Sequence, residues 1–170
     1  MSDPQAPSRG EFEFVRRLGR MLAPAQPGAA QAAARAGVPF GDDMCALAPD
    51  RPELLWTVDM LMDGVDFNSR VHAWRAIGRK ALAVNLSDCA AMAVEPVSAL
   101  CAVALSNTLT MEDALELLRG AQECGESFGC PIVGGDTNSW DAPTVVSVSV
   151  AARCEPGRAP VRRDGARPGD

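Results

Sequence analysis

The 170-residue sequence predicts an α+β fold of the mixed α/β type, a small sheet with helices packed on one face. Three observations lead to this prediction. The segment 144–154 alternates apolar and polar residues, as a half-buried strand does. The segments 71–94 and 110–129 carry apolar residues at helical spacing. The short apolar run 97–105 lies between them and is typical of a buried strand.

The N-terminal part predicts a tail, a helix and a connector. Residues 1–9 have the composition of a flexible tail. Apolar residues at helical spacing follow Gly10 and predict a short amphipathic helix: Phe14, Leu18, Met21 and Leu22. The segment 23–37 is built from Ala, Pro, Gln and Gly and predicts a flexible connector.

The next part predicts a hairpin followed by a helix. The apolar runs 44–48 and 54–61 are separated by the turn-like sequence PDRPE, so we expect two paired strands. We expect the helix at 71–94 to end before Pro96, because proline disfavours a helical residue ahead of it. The strand 97–105 then follows.

The C-terminal part predicts a second helix and two strands. Thr110 can cap this helix together with Asp113 at the third helical position. The sequence PIVGG at 131–135 predicts a short strand that ends in a glycine turn. We expect the domain to span residues 10–154, and the Pro-, Gly- and Arg-rich segment 155–170 to be a linker to a further domain.

The composition limits the classes of function. Apolar residues make up 47% of the chain but aromatic residues only 5%, so small aliphatic side chains must supply most of the core. The net charge of −6 disfavours nonspecific binding to nucleic acid. An acidic protein that handles phosphates needs metal ions between the like charges.

The six cysteines and the N-terminus indicate a cytoplasmic protein. The cysteines form no C-x-x-C pair and no zinc spacing, and most lie beside apolar residues, where a thiol packs as a small apolar group. The N-terminus has no apolar signal core, and no stretch approaches the roughly 18 apolar residues that a membrane span requires. We therefore expect reduced cysteines and no membrane partner.

Aspartates occupy the junctions of the predicted elements. Asp42 and Asp43 follow a glycine just before a strand, and Asp59 ends the next strand. Asp88 lies within an apolar helix, and Asp136 follows the strand of IVGG. Carboxylates that converge from separate elements suit Mg²⁺, which prefers hard oxygen ligands and keeps waters for substrate phosphates.

Each aspartate also has a purely structural interpretation. A Gly-Asp-Asp sequence often forms a turn, and an aspartate at a strand end is often a cap or solvated. Asp88 is harder to explain, because an unpaired buried carboxylate costs on the order of several kcal/mol. Lys80 lies two helical turns away, about 12 Å along the axis, whereas Asn85 shares the face of Asp88 and could orient it. Metal ligation and structural roles both stay open from the residue pattern alone.

Other chemistries find no support in the residue pattern. His72 is the sole histidine, and no Ser-His-Asp arrangement forms around it. Neither the P-loop motif nor G-x-G-x-x-G is present. The basic segment 162–167 is short and indicates a linker or a phosphate contact.

Four stretches resemble the N-terminal domain of the thiamine-monophosphate kinase family in order and spacing: GDDMCAL, TVDMLMDGVDF, RKALAVNLSDCAAM and IVGGDTN. The opening GEFEFVRRL and the closing VRRDGARPGD extend the resemblance to residues 10–170. The wider group includes aminoimidazole-ribonucleotide synthetase and selenophosphate synthetase. The resemblance implies ATP-dependent phosphorylation of thiamine monophosphate to thiamine diphosphate, with several Mg²⁺ ions, in a homodimer formed through the edge or face of the sheet.

The resemblance also implies roles for individual residues. It assigns metal binding to Asp43, Thr57, Val58, Asp59, Asp88 and Asp136. It assigns nucleotide binding to Gly135, Asp136 and Arg163, and it places Asp66 against the thiamine phosphate. No catalytic protein nucleophile is implied, because the phosphate oxygen of the substrate attacks ATP directly and in line.

Three departures from the family keep alternatives open. Asp66 stands where the family usually has histidine, and an acid repels a phosphate unless a metal intervenes. Val58 replaces a residue that is often threonine, so only its carbonyl could bind metal. The second domain of the family is missing, and we expect the chain alone to turn over slowly or not at all. A related enzyme with another acceptor, and a truncated, non-catalytic nucleotide-binding dimerisation module, are the alternatives.

Overall fold

The computed structural model of the chain describes residues 42–48 and 51–169. The predicted tail at 1–9, the helix after Gly10 and the connector at 23–37 lie outside the described residues. Within these residues the elements follow the predicted order: two strands, a helix, a strand, a helix and two strands. The predicted α+β class is therefore confirmed.

The strands are β1 (Cys45–Ala48), β2 (Arg51–Met62), β3 (Glu95–Ser106), β4 (Ile132–Trp140) and β5 (Val145–Arg153), and the helices are α1 (Trp74–Ala91) and α2 (Met111–Ser127). β2 begins at Arg51, inside the segment that the sequence predicts as a turn. The predicted cap of α2 is confirmed, because the hydroxyl of Thr110 accepts a 3.1 Å hydrogen bond from the backbone N–H of Asp113.

α1 is shorter than the predicted helix at both ends. At its C-terminus Ala93 has a φ of 53°, in the left-handed region, which ends the helical backbone before the proline is reached. Pro96 lies in β3, next to an irregularity in the register with β5 between Pro96 and Ser98. Strands accept proline at such irregularities because a ladder hydrogen bond is already missing there.

The five strands form one sheet in the order β1-β2-β5-β3-β4. β3 and β4 are parallel and are connected through α2, whereas the other neighbouring strands pair antiparallel. A parallel pair requires a crossover of this kind. β2 and β4 are thus separated by two intervening strands.

β4 corrects the prediction of a glycine turn at 131–135. The strand continues through both glycines to Trp140. A Cβ atom at Gly135 would lie 1.7 Å from the carbonyl oxygen of Cys101 on β3, so only glycine allows the two backbones to approach this closely. Gly135 therefore serves strand pairing at this position.

Both helices pack against one face of the sheet. The buried residues of β5 on that face are Val146, Val148, Val150 and Ala152. α1 and α2 lie in close contact, since a Cβ atom at Gly78 would be 1.8 Å from the carbonyl oxygen of Leu117. Burial raises the pKa of Cys89 in this core to about 12, which disfavours its reactive thiolate form.

The opposite face of the sheet, which we call the open face, carries exposed apolar side chains. Val58 and Met60 on β2 are 60% and 58% exposed, and Met62 and Leu100 are exposed as well. The register places Met60, Ser147 and Ala102 in one row across β2, β5 and β3. No element of the described part of the chain packs over this row.

The segment 155–169 contains no helix or strand and folds back on the domain. The backbone N–H of Val161 donates a 2.9 Å hydrogen bond to the carbonyl oxygen of Met92, at the C-terminal end of α1. A turn follows, in which Gly165 donates to Arg162. The segment thereby brings its arginines to the end of α1. The domain boundaries themselves stay predictions.

Candidate metal and nucleotide site

A hydrogen bond between Thr57 and Asp88 lies at the centre of the site. Thr57 points from β2 to the helix-covered face and is buried. Its hydroxyl lies 2.5 Å from Oδ2 of Asp88 and 3.2 Å from the backbone carbonyl oxygen of Asp43. Because a hydroxyl has one proton, Thr57 donates it to Asp88, which is the nearer of the two acceptors. The strand thus orients the carboxylate of the helix.

Asn85 does not orient Asp88. Its side-chain amide donates to the carbonyl oxygen of Ala81, 3.2 Å away in the preceding turn of α1. Its Oδ1 is buried and has no hydrogen-bond partner within the described part of the chain. Thr57, to which the family resemblance assigns only metal binding, holds Asp88 instead.

Arg163 brings a positive charge to the acids that precede β1. Its Nη2 forms an ion pair with Oδ1 of Asp43, and its Nε lies 3.5 Å from Oδ1 of Asp42. The side chain of Asp42 is 0% exposed, and its Oδ1 accepts a 2.9 Å hydrogen bond from the backbone N–H of Asp43. Its Oδ2 is buried without a partner among the residues that the structure describes.

Burial and, after it, neighbouring charges raise the pKa values of two carboxylates of the site. Burial raises the pKa of Asp88; the hydrogen bond from Thr57 opposes this, the charge of Asp43 adds to it, and Arg163 again opposes it. Burial also raises the pKa of Asp59, and the neighbouring charge of Asp88 raises it further. These acids therefore lie close enough to repel one another, and Arg163 offsets only part of the charge.

The donor set fits a hard divalent cation. Within residues 42–48 and 51–169, no three His, Cys, Asp or Glu side chains converge tightly enough to hold an ion. The available donors are nevertheless carboxylate and hydroxyl oxygens, which Mg²⁺ prefers, from Asp43, Thr57, Asp59 and Asp88. Oδ2 of Asp42, which has no hydrogen-bond donor among the described residues, adds negative charge beside them.

Val58 has its side chain on the open face, away from these acids. It pairs with Ser149 across β2 and β5. The carbonyl of Val58 is therefore its only group that could face the acids, and its role as a metal ligand stays a prediction.

Gly135 and Asp136 lie apart from the acidic cluster within one chain. Two strands separate β4 from β2, which corresponds to about 14 Å at the usual strand spacing. Asp136 is exposed, and Nδ2 of Asn138 lies 3.4 Å from its Oδ2. The register pairs Asp136 with Ala102, in the row of Met60 on the open face. The described residues therefore do not bring Asp136 to the acidic cluster, and its role as a metal ligand stays a prediction.

Asp66 lies in the turn after β2, next to a lysine to which the sequence pattern gives no role. The carboxylate of Asp66 accepts a 2.8 Å hydrogen bond from the backbone N–H of Met62. The amino group of Lys80 donates to the backbone carbonyl oxygen of Asp66. A positive charge therefore lies beside the position that the family resemblance assigns to the substrate.

A pocket of about 610 Å³ opens where α1 and α2 begin, and none of the predicted site residues lines it. Its polar walls are largely satisfied internally. Ser69 donates through its N–H and its hydroxyl to Asp63, and Asn107 donates to Asp141 at 2.6 Å. Separately, neither helix of the described residues is long and apolar enough to cross a membrane.

Lys80 is a site residue that sequence reasoning missed, and Asp42 is named there only as one of the junction aspartates, with no role separate from that of Asp43. Asp42 stands in the quoted Gly-Asp-Asp turn, but the turn motif does not distinguish a buried aspartate from an exposed one. Lys80 lies within the stretch RKALAVNLSDCAAM that carries the family resemblance, but its spacing from Asp88 bears only on a pair between those two residues. Only the folded chain shows their neighbours.

The α+β sheet with this acidic cluster defines a known class of domain. The family model "AIR synthase related protein, N-terminal domain" matches residues 41–154, and the chain belongs to this family. Within that class, the chain is similar to thiamine-monophosphate kinases. The one from Rhodopirellula baltica is 36% identical over 141 residues, which cover 78% of this chain and 44% of that protein. The one from Caulobacter vibrioides is 34% identical over 169 residues, which cover 98% and 45%.

Solved structures agree with this assignment. The structure described as AaThiL complexed with AMPPCP and TMP has a TM-score of 0.73 and 27% identity, covering 98% of this chain and 48% of that one. The structure of tt0281 from Thermus thermophilus has a TM-score of 0.71 and 25% identity, covering 92% and 47%. The family resemblance seen in the sequence is confirmed, and the chain spans less than half the length of these relatives.

Proposed function

We propose that the chain is the ATP- and Mg²⁺-binding domain of a kinase that phosphorylates thiamine monophosphate to thiamine diphosphate. The observation that carries this proposal is the cluster of Asp43, Thr57, Asp59 and Asp88 on an AIR synthase domain. Support for the substrates comes from the named relatives and from the similar structure with AMPPCP and TMP.

The residues of the site bind and orient charge. Thr57 fixes one oxygen of Asp88 and leaves the other carboxylate oxygen to the site. Asp43 and Asp59 supply further carboxylates, and Arg163 is the guanidinium that can meet a phosphate. Bound Mg²⁺ ions supply neutralisation of the phosphate charge and in-line alignment. No protein nucleophile is required, because a phosphate oxygen of the acceptor attacks the terminal phosphorus of ATP directly.

We further propose that the protein is a homodimer built on the open face. The exposed apolar residues Val58, Met60, Met62 and Leu100 form a surface of the kind that marks protein interfaces. Asp136 lies in the same register row, so it would lie in or beside this interface.

A kinase assay tests the proposed activity. In the longest gene product that contains this chain, we expect ADP release that requires both Mg²⁺ and thiamine monophosphate. Asp88→Asn should lower kcat/KM by at least about 100-fold, as loss of a central charge-organising group does. Asp141→Asn is the matched control, because Asp141 is an exposed carboxylate paired with Asn107 away from the cluster. Normal turnover by Asp88→Asn contradicts the proposed site.

A related kinase with another acceptor is the second candidate, and Asp66 favours it. The acid at this position is held by Met62 and neighbours Lys80, so the local charge differs from that of a histidine. A panel of phosphate- and carboxylate-bearing acceptors, each assayed for ADP release, separates the two candidates. Efficient turnover of thiamine monophosphate excludes this second candidate.

A further inference from the structure

Arg163 occupies the carboxylate to which the family resemblance assigns a metal. Its Nη2 contacts Oδ1 of Asp43, and the side chains of Arg163 and Asp43 are 55% and 31% exposed. A carboxylate lone pair that accepts from a guanidinium N–H is not open to a cation, and two cations beside one carboxylate repel each other. The arginine and a divalent ion therefore exclude each other at this oxygen.

Asp42 offers the same arginine a second place to bind. Its fully buried carboxylate already lies 3.5 Å from Nε of Arg163 through Oδ1, and its Oδ2 has no donor among the described residues. A buried acceptor without a donor is costly, and a guanidinium is a planar fork that can satisfy both oxygens of one carboxylate. Asp42 can thus take up the N–H group that Asp43 releases.

The backbone of the segment holds Arg163 within reach of both acids. Val161 is fixed to Met92 by a 2.9 Å hydrogen bond, and the turn from Arg162 to Gly165 follows directly. The neighbouring Arg162 is occupied by Asp164 at 2.9 Å. Arg163 is therefore the arginine of this turn that contacts both Asp42 and Asp43, and its side chain can change partner without movement of the segment.

We propose that Arg163 and a divalent cation compete for Asp43, and that Asp42 is the positioning residue that keeps the guanidinium beside the site when the cation enters. The inference rests on the proposed metal site and adds a role for Asp42 that the sequence resemblance does not assign. Transfer of Arg163 from Asp43 to Asp42 leaves part of its N–H fork free for a phosphate oxygen. Cation binding thus prepares the arginine for the nucleotide.

A Mn²⁺ titration of the 170-residue chain without nucleotide tests the competition, with the free ion followed by electron paramagnetic resonance. Arg163→Gln should bind Mn²⁺ about two- to fivefold more tightly than the wild type, the range that loss of an exposed ion pair gives. Arg158→Gln is the matched control, because Arg158 lies in the same segment and pairs with Glu155. Its affinity for Mn²⁺ should be unchanged.

The role of Asp42 is tested by the Nε–H resonance of Arg163 in a ¹⁵N-labelled chain, assigned by its absence from Arg163→Gln. With saturating Mg²⁺ the resonance should persist in the wild type and be lost to solvent exchange in Asp42→Asn. If the Nε–H resonance persists in a folded Asp42→Asn variant with Mg²⁺, the positioning role is overturned. If Asp42→Asn does not fold, loss of the wild-type resonance on addition of Mg²⁺ overturns the role as well.

The outcomes separate this inference from the proposed function. Suppose that the wild type binds Mn²⁺, that Asp88→Asn abolishes this binding, and that a folded Arg163→Gln binds Mn²⁺ no more tightly than the wild type. This result overturns the competition and leaves the metal site intact. Absence of any Mn²⁺ binding that depends on Asp88 overturns both the competition and the proposed metal site.

Discussion

The hydroxyl of Thr57 on β2 lies 2.5 Å from the carboxylate of Asp88 on α1, and it joins the sheet to the helix at the acidic cluster. This bond explains how an aspartate is tolerated within the apolar C-terminal half of α1. The charge has a buried hydroxyl as its immediate donor and Arg163 as a nearby cation. The site is thus built by tertiary contacts between elements that are distant in sequence.

Thr57→Val should weaken divalent-ion binding while the fold is retained. The substitution keeps the shape of the side chain and removes the donor to Asp88, so the carboxylate loses its orientation and its pKa rises further. We expect Mn²⁺ affinity at pH 7 to fall about tenfold or more, since a hydrogen bond to a charged group contributes about 1.5–3 kcal/mol. Thr57→Ser keeps the hydroxyl and should bind as the wild type does; equal affinity in Thr57→Val contradicts the role of this bond.

Asp88→Asn should stabilise the domain in EDTA at neutral pH. The folded-state pKa of Asp88 is raised, first by burial, so its ionised form is less favourable in the folded chain than in the unfolded chain. Stability is therefore lost as the pH rises from the unfolded value, near 4, through the raised folded value. The difference in Tm between variant and wild type should grow across this window and be largest at pH 7.

Thermal unfolding between pH 4 and pH 7 measures this difference. Saturating Mg²⁺ should raise the Tm of the wild type and leave that of Asp88→Asn unchanged, because only the wild type retains the full ligand set. A variant that melts below the wild type at pH 7 in EDTA indicates that the hydrogen bond from Thr57 outweighs the desolvation of Asp88.

Local patterns predict most of the fold because the relevant physics is local. The alternation in β5 and the cap at Thr110 each depend on a few neighbouring residues, and both agree with the structure. The glycines of β4 fit a turn equally well in sequence, because the same residue type also permits close strand pairing. Sequence cannot tell these two uses of glycine apart.

The site is predictable in its residue types but not in its contacts. Resemblance places Asp43, Asp88 and Arg163 in one site, yet the ion pair between Asp43 and Arg163 joins residues 120 positions apart. No spacing rule reports such a pair. The separation of Asp136 by two strands is likewise a property of the strand order, which residue patterns do not specify.

Gly135→Ala should destabilise the domain, whereas Gly134→Ala should not. A Cβ at Gly135 would lie 1.7 Å from the backbone oxygen of Cys101, so β4 must move away from β3. A Cβ at Gly134 would meet only a flexible methyl group of Leu100 at 3.3 Å. We expect a loss of about 1–3 kcal/mol for Gly135→Ala, the usual cost of overpacking, and under about 0.5 kcal/mol for Gly134→Ala. Urea unfolding followed by circular dichroism measures both, and equal stabilities contradict the close pairing of β3 and β4.

Met60→Lys should convert the proposed homodimer into a folded monomer. Met60 is 58% exposed in the row that also contains Ser147 and Ala102, so a lysine there is tolerated by one chain. In a dimer the ammonium group would be enclosed in the interface, and an unpaired buried charge should weaken association by at least about tenfold. Size-exclusion chromatography with light scattering over a concentration series measures the dissociation constant. Met111→Lys, at an exposed apolar position on α2, should leave it unchanged. A monomeric wild type contradicts the proposed homodimer, and a Met60→Lys variant that stays dimeric places the interface elsewhere than the open face.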